Sequence, residues 1–172
     1  GKMMASSGGG QVVASASYNI DPFSPDSKEA YLLDHCIDGR VLYPFTGHMV
    51  LVWKTLCKLK GVDFQKTPVV IENINVYKAT ILTKAIRLDV VISPGNGNSE
   101  ILDDDQICAS GRIYIPDETQ LPYYNNFEGI QTSPIADRIE LDTEDAYKEF
   151  LLRGYEYGQA FRGIYRVCNS GE

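Results

Sequence analysis

Two histidines, His35 and His48, are the side chains of this sequence best suited to moving a proton near neutral pH. His35 lies in the run DHCIDGRVLYPFTGHM, which also carries Gly39 and Pro44. A lone histidine at a strand end is usually a packed imidazole bonded to a backbone carbonyl. Gly39 and Pro44 change that reading, because together they close a tight loop that brings the imidazole to the start of an apolar helix. A helix start offers unpaired N–H groups and the positive end of the dipole. These can hold the carbonyl of an acyl thioester and stabilise the enolate-like charge that develops as an alpha proton leaves. His35 would be the base that takes it. His48, in the first helical turn, reads as a packing or wall residue.

The elements that must position this loop are legible from pattern. Residues 11–20 alternate small or polar with apolar side chains, as a half-buried strand does, and DPFSPDS breaks it. AYLLDHCID reads as strand up to Gly39, with a loop over 38–45. Thr46 is the expected N-cap of a helix running to Gly61, whose lack of a Cβ suits a left-handed stop. The near-unbroken apolar run from Met49 to Leu59 predicts that this helix is wrapped on most sides. Strands are predicted over 68–77, 84–93 and 106–115, with PGNGNS as a turn between the last two. The order suggests one buried helix inside a curled antiparallel sheet. A second helix is expected over 143–153, and GYEYGQAFRGIYRV then opens a strand-like segment.

Composition narrows the function classes. At 172 residues, 44% apolar and 23% charged, the chain suits one packed domain. A net charge of −7 repels nucleic acid and anionic lipid, so neither is an expected partner. The four cysteines show no C-x-x-C pair and no histidine at ligand spacing, which argues against a metal and for reduced thiols in the cytoplasm. No run approaches a membrane span, and GKMMASSGGG lacks the apolar core of a signal peptide.

The spacing His35, Gly39, Pro44, written H-x-x-x-G-x-x-x-x-P, together with its flanks, resembles the dehydratase domain of animal-type fatty acid synthase. YNID, the PVV-I-E and KATIL runs, SGRIY and LRGYEYG follow in the same order, from about residue 6 to 171. The resemblance implies an α+β hot-dog fold, with an antiparallel sheet wrapped around one long central helix, as the first half of a double hot-dog. It implies a lyase that removes water from (3R)-3-hydroxyacyl groups on acyl carrier protein to give the trans-2-enoyl thioester. No cofactor is implied beyond the carrier's phosphopantetheine. His35 is then the base. Gly39, Pro44 and Phe45, through its backbone N–H, belong to the substrate site together with Tyr155 and Gly158. The partners implied are the carrier with its tethered acyl chain, the second hot-dog half and other domains of the same polypeptide, and a homodimeric parent.

In that family the second half supplies the acid from an Asp-x-x-x-Gln or Asp-x-x-x-His motif. No aspartate here has Gln or His four residues on, so the expectation is a dyad completed from outside this sequence. The expected organisation is a linker over 1–10, the first hot-dog over 11–116, a connecting loop over 117–142, and a helix with the start of the second half over 143–172. Two positions depart from the pattern. Phe45 replaces a small residue and is expected to narrow the acyl tunnel, and Gln159 replaces the proline of G-Y-x-Y-G-P-x-F, restoring a backbone donor.

Other residues have plainer readings. Asp34 is expected at the surface, Asp38 as support for the loop, and Arg40 as solvated or meeting the carrier's phosphate. The aspartates 103–105 are read as a solvated turn, and Tyr155 with Tyr157 as packing on one face. A polyketide synthase dehydratase is the alternative within enzymes. A non-catalytic hot-dog scaffold in a megasynthase and a hot-dog thioesterase are the alternatives beyond it.

Overall fold

Phe45–Lys60 form the long helix α1 of the computed structural model, which describes residues 4–5, 13–119 and 139–168. The helix is capped by Pro44, whose ring holds φ near −61° while ψ is 138°. Thr46 is therefore not the cap expected from its side chain. It sits inside the first turn because the proline already sets the direction of the chain. Gly61, at φ +67°, ends the helix and donates its N–H to the Cys57 and Lys58 carbonyls. His48, Leu51, Val52, Thr55 and Leu56 are buried at spacings of three and four, which is one helix face. Met49, Val50, Trp53 and Leu59 are only half-buried and Lys54 is exposed. The sheet thus covers one broad face of α1, not most of its circumference.

That face meets a six-stranded antiparallel sheet in the order β1-β2-β6-β7-β8-β5. Its strands are β1 (Met4–Ala5), β2 (Ala14–Ile20), β5 (Val70–Val76), β6 (Ile86–Ile92), β7 (Asn98–Asp103) and β8 (Gln106–Tyr114). The inward residues alternate as a pleated sheet requires: Leu88, Val90 and Ile92 of β6 are wholly buried, with Ile101 of β7 and Ile113 of β8 beside them. These residues pack with Leu51, Val52 and Leu56 into a single cluster. Each such side chain contributes about 1.5–3 kcal/mol by leaving water. The hairpin β3 (Cys36–Ile37) and β4 (Arg40–Val41) and the pair β9 (Glu140–Asp142) and β10 (Arg166–Cys168) stand apart, with α2 (Thr143–Leu152) following β9.

Several expectations are corrected. Residues 30–34 form a 3-10 helix, not a strand, because Ser27 and Glu29 turn the chain through local bonds: Ala30 N–H donates to the Ser27 carbonyl and Leu32 N–H to that of Glu29. Only Leu32 of this stretch is buried. The strand β7 was hidden among turn formers. Its Ser99 and Ile101 point inward, yet Gly, Asn and Asp bracket it, and Asp104 and Asp105 make the two-residue turn into β8 at φ 49° and 62°. Within the expected linker, Met4–Ala5 pair with β2. Within the expected connecting loop, residues 140–142 pair with β10, and residues 120–138 lie outside the described residues. Asp142 caps α2 by accepting from the Asp145 N–H. No helix among the described residues is long and apolar enough to cross a membrane.

Candidate active site

His35 leaves the 3-10 helix at its C-cap, with its N–H donated to the Leu32 carbonyl at 3.1 Å. The chain then turns at Asp38 and Gly39, both with positive φ (49° and 68°), in a two-residue hairpin loop that registers Cys36 against Val41. This Asp-Gly pair suits the type I′ geometry that matches strand twist. The turn brings Leu42 back beside His35. Leu42 N–H donates to the His35 carbonyl at 3.0 Å, and His35 Nδ1 lies 2.9 Å from the Leu42 carbonyl oxygen. A carbonyl only accepts, so Nδ1 carries the proton of the neutral imidazole and Nε2 keeps its lone pair. Beyond Leu42, Tyr43 N–H donates to Thr80 and Leu82 N–H to Val41, both at 2.8 Å, and these bonds aim Pro44 into α1.

The second motif is built onto the first. Asp38 N–H donates to Gly154, Tyr155 bridges Ile37, Glu156 N–H donates to Cys36, and Gly158 N–H donates to Asp34. Residues 154–158 therefore run antiparallel beside residues 34–38, joined by these bonds and one isolated bridge. Glu156 adds a side-chain tie, accepting the Gly39 N–H at 3.0 Å. This segment delivers Tyr157 flat onto the imidazole, with ring centroids 5.3 Å apart, and the following turn delivers Phe161 at 4.9 Å. Burial pushes the Tyr157 hydroxyl's pKa above its ordinary value, so the ring stays neutral against the histidine.

Gly154 has φ +86°, and a Cβ there would run into the Asp38 carboxylate. Gly154→Ala is expected to cost about 1–3 kcal/mol through strain and the lost Asp38 contact, which urea unfolding would measure.

The first turn of α1 leaves the Phe45 and Thr46 N–H groups without an intrahelical partner. Gly47 makes room here: a Cβ on it would lie 2.9 Å from the Tyr43 ring. A cavity of about 310 Å³ opens beside this turn, lined by Pro44, Thr46, Gly47, Val50, Tyr43 and Phe161 among others. Phe161 thus both covers His35 and walls the cavity. The Phe45 ring, 37% exposed, is not in that wall, so it does not narrow this space.

His48 is buried under the helix, with Nε2 3.2 Å from Thr80 Oγ1 and its ring edge-on to Tyr43. Burial holds its pKa down to about 4. Among the described residues no group of three His, Cys, Asp or Glu is arranged to hold a metal ion.

Of the residues singled out from sequence, His35, Gly39 and Gly158 come together, and Pro44 opens the helix at the cavity. The Gly39 N–H is taken by Glu156, whereas that of Phe45 faces no helical acceptor. Tyr155 packs on Phe150 and Tyr157 and does not touch the imidazole. Tyr157, Phe161 and Asp34, which pack on or anchor the histidine's surroundings, were not singled out as functional. Tyr157 and Phe161 nonetheless stand in the G-Y-x-Y-G-P-x-F pattern of the resemblance, and that pattern is the sequence signal for both.

No family model matches the chain. It is 24% identical over 183 residues to mycoketide-CoA synthase of Mycobacterium tuberculosis, a match that covers 98% of this chain and 4% of that protein. Among solved structures it is similar to the dehydratase domain from the CurF module of Curacin polyketide synthase. That likeness has a TM-score of 0.68 and 21% identity, covering 98% of this chain and 60% of the other. It is also similar to the dehydratase domain of PpsC from Mycobacterium tuberculosis in complex with C12:1-CoA, with a TM-score of 0.69 and 15% identity over 96% of this chain and 56% of the other. The chain thus spans under two thirds of the length of these domains. They are polyketide synthase domains, the alternative and not the first expectation from sequence, and the fold they share with this chain is the hot-dog fold of dehydratases.

Proposed function

We propose that this chain is part of the dehydratase of a multifunctional synthase, and that it removes water from (3R)-3-hydroxyacyl groups carried on phosphopantetheine. The observation that carries this reading is the Leu42 carbonyl on Nδ1 of His35, which leaves the Nε2 lone pair to act as a base, while Phe161, packed on the same ring, lines the cavity at the start of α1. Nε2 takes the C2 proton. The C2–H electron pair becomes the new C2–C3 double bond, and the C3–O bond breaks as the hydroxyl leaves with a proton from an acid outside this sequence. The open N–H groups of the first helical turn hold the thioester carbonyl while charge builds on it.

The order of YNID, KATIL, SGRIY and LRGYEYG supports a fatty acid synthase parent, whereas the solved neighbours support a polyketide synthase parent. Both carry the acyl chain on an acidic carrier protein. With a net charge of −7 on this chain, delivery depends on a covalent tether or a local basic contact such as exposed Arg40.

The test compares this chain with the parent polypeptide that contains it, using a 3-hydroxybutyryl pantetheine thioester and following the enoyl product. The parent should turn over. Residues 1–172 alone should be slower by at least about 10²-fold, the usual cost of a missing acid. Equal turnover by the two would sink the two-residue scheme, and no turnover by the parent would favour a scaffold.

A further inference from the structure

We propose that Asp34 is a positioning residue for His35, acting on the imidazole through the Phe161 turn and not by direct contact. The inference rests on His35 being the base, but its geometry stands apart from that reading. Asp34 meets residues 158–160 at two points. Its carbonyl accepts the Gly158 N–H at 2.8 Å, and its carboxylate oxygen Oδ2 accepts the Ala160 N–H at 2.8 Å.

Gln159–Phe161 form a 3-10 turn that begins at Gly158 and has no side-chain cap of its own. The Asp34 carboxylate fills that role from a residue far away in sequence, satisfying an N–H that the short turn cannot. Gln159, the first residue of the turn, has no ring to fix its φ, so the turn depends more on this anchor. Gly158 allows the approach, because a Cβ there would overlap the Asp34 side chain.

At its far end the turn is held by Tyr147, whose hydroxyl donates to the Phe161 carbonyl at 3.1 Å. Between these two anchors the Phe161 ring is set against His35 at 4.9 Å and against Tyr31 at 6.3 Å. Asp34 therefore controls one wall of the imidazole's cage, although the two side chains leave the backbone from adjacent residues. Releasing the carboxylate frees the turn, lets Phe161 leave the imidazole, and allows the ring to swing about its Nδ1 bond to the Leu42 carbonyl.

The chain's two histidines make the test direct, since ring-proton NMR signals of His35 and His48 can be told apart by a His48→Gln control. In the unaltered chain the His35 ring protons should be shifted upfield by the Phe161 and Tyr157 rings. In Asp34→Ala they should move toward the positions of an unstacked histidine, with the His48 signals unmoved. Asp34→Asn should restore the original positions, because its Oδ1 can still accept from Ala160. Gly158→Ala, which pushes the carboxylate away, should behave like Asp34→Ala. His35 signals that stay in place in Asp34→Ala, with His48 showing the fold intact, would overturn the proposal.

Should Asp34→Ala fail to fold, two further measurements decide. Phe161→Leu must release the His35 shift, and the Ala160 N–H of the unaltered chain must exchange slowly with solvent. Failure of either overturns the proposal. In the parent synthase, Asp34→Ala should lower kcat between about 10- and 100-fold with little change in KM, as misplacement of a catalytic group does. If the NMR result holds and the parent shows no dehydration to lower, the dehydratase reading has failed and the positioning role has not.

Discussion

His35→Asn in the parent synthase is expected to lower kcat/KM for dehydration by about 10²- to 10⁴-fold, the range found for loss of a general base. Asparagine is chosen because its side-chain NH₂ can still donate toward the Leu42 carbonyl, so the polar tie across the loop is retained. What it lacks is the lone pair that Nε2 of the neutral imidazole presents. The loop itself is held by backbone bonds that the substitution does not touch: Leu42 N–H to His35, Glu156 N–H to Cys36 and Gly158 N–H to Asp34. Stability should therefore change by less than about 1 kcal/mol, apart from lost stacking on Tyr157 and Phe161. Thermal unfolding beside steady-state kinetics checks both halves. Full activity in a folded His35→Asn parent would remove His35 from the reaction.

His48 is expected to make the fold acid-sensitive. Its pKa falls from the ordinary 6.5 to about 4 because burial disfavours the charged ring, with Asp103 opposing the effect more weakly. Thr80 and Cys108 face Nε2, Tyr43 lies edge-on, and Asp103 is itself paired with Lys78 at 3.4 Å. The Cys108 thiol is pushed up by burial and stays protonated, so it supplies no countercharge.

Between pH 6.5 and pH 4 the unfolded chain binds a proton at this position that the folded chain excludes. The stability from a neutral His48 is therefore complete above pH 6.5 and is lost as pH falls, reaching about 3 kcal/mol by pH 4. His48→Gln removes the titration while keeping a partner for Thr80. Subtracting its urea-derived stability curve from that of the unaltered chain cancels the carboxylates common to both, and the difference should slope through this window. A flat difference would show that the buried ring is not held neutral at a cost.

Both expectations depend on how one loop is folded, and much of that loop is visible in sequence. Asp38-Gly39 is a hairpin signal because both positions need positive φ, and Pro44 can cap a helix but cannot continue a strand ladder. The alternation Leu88, Val90, Ile92 and the left-handed stop at Gly61 are local consequences of side-chain type. The element over 30–34 is not legible, because AYLLD is as compatible with a strand as with one 3-10 turn until the Ser27 and Glu29 bonds fix the chain. The strand β7 is hidden for a related reason: an alternation only six residues long is outweighed by Gly, Asn and Asp at both ends. Thr46 is a good cap by composition, yet the proline two residues earlier had already fixed where the helix begins.

The sequence by itself determined the pieces: a loop that ends in a base and a helix start, strands of period two, one long apolar helix, and a Gly-Tyr-Glu-Tyr-Gly run far down the chain. Only the tertiary structure decided that this run pairs with the histidine's own segment and lays Tyr157 and Phe161 on the imidazole. It also decided that the Leu42 carbonyl sets the tautomer and that Asp34 anchors the turn. Periodicity and turn chemistry act over a few neighbouring residues and are written locally. A hydrogen bond from Ala160 to Asp34 joins residues 126 apart in sequence, and its partners are chosen by the packing of the whole fold.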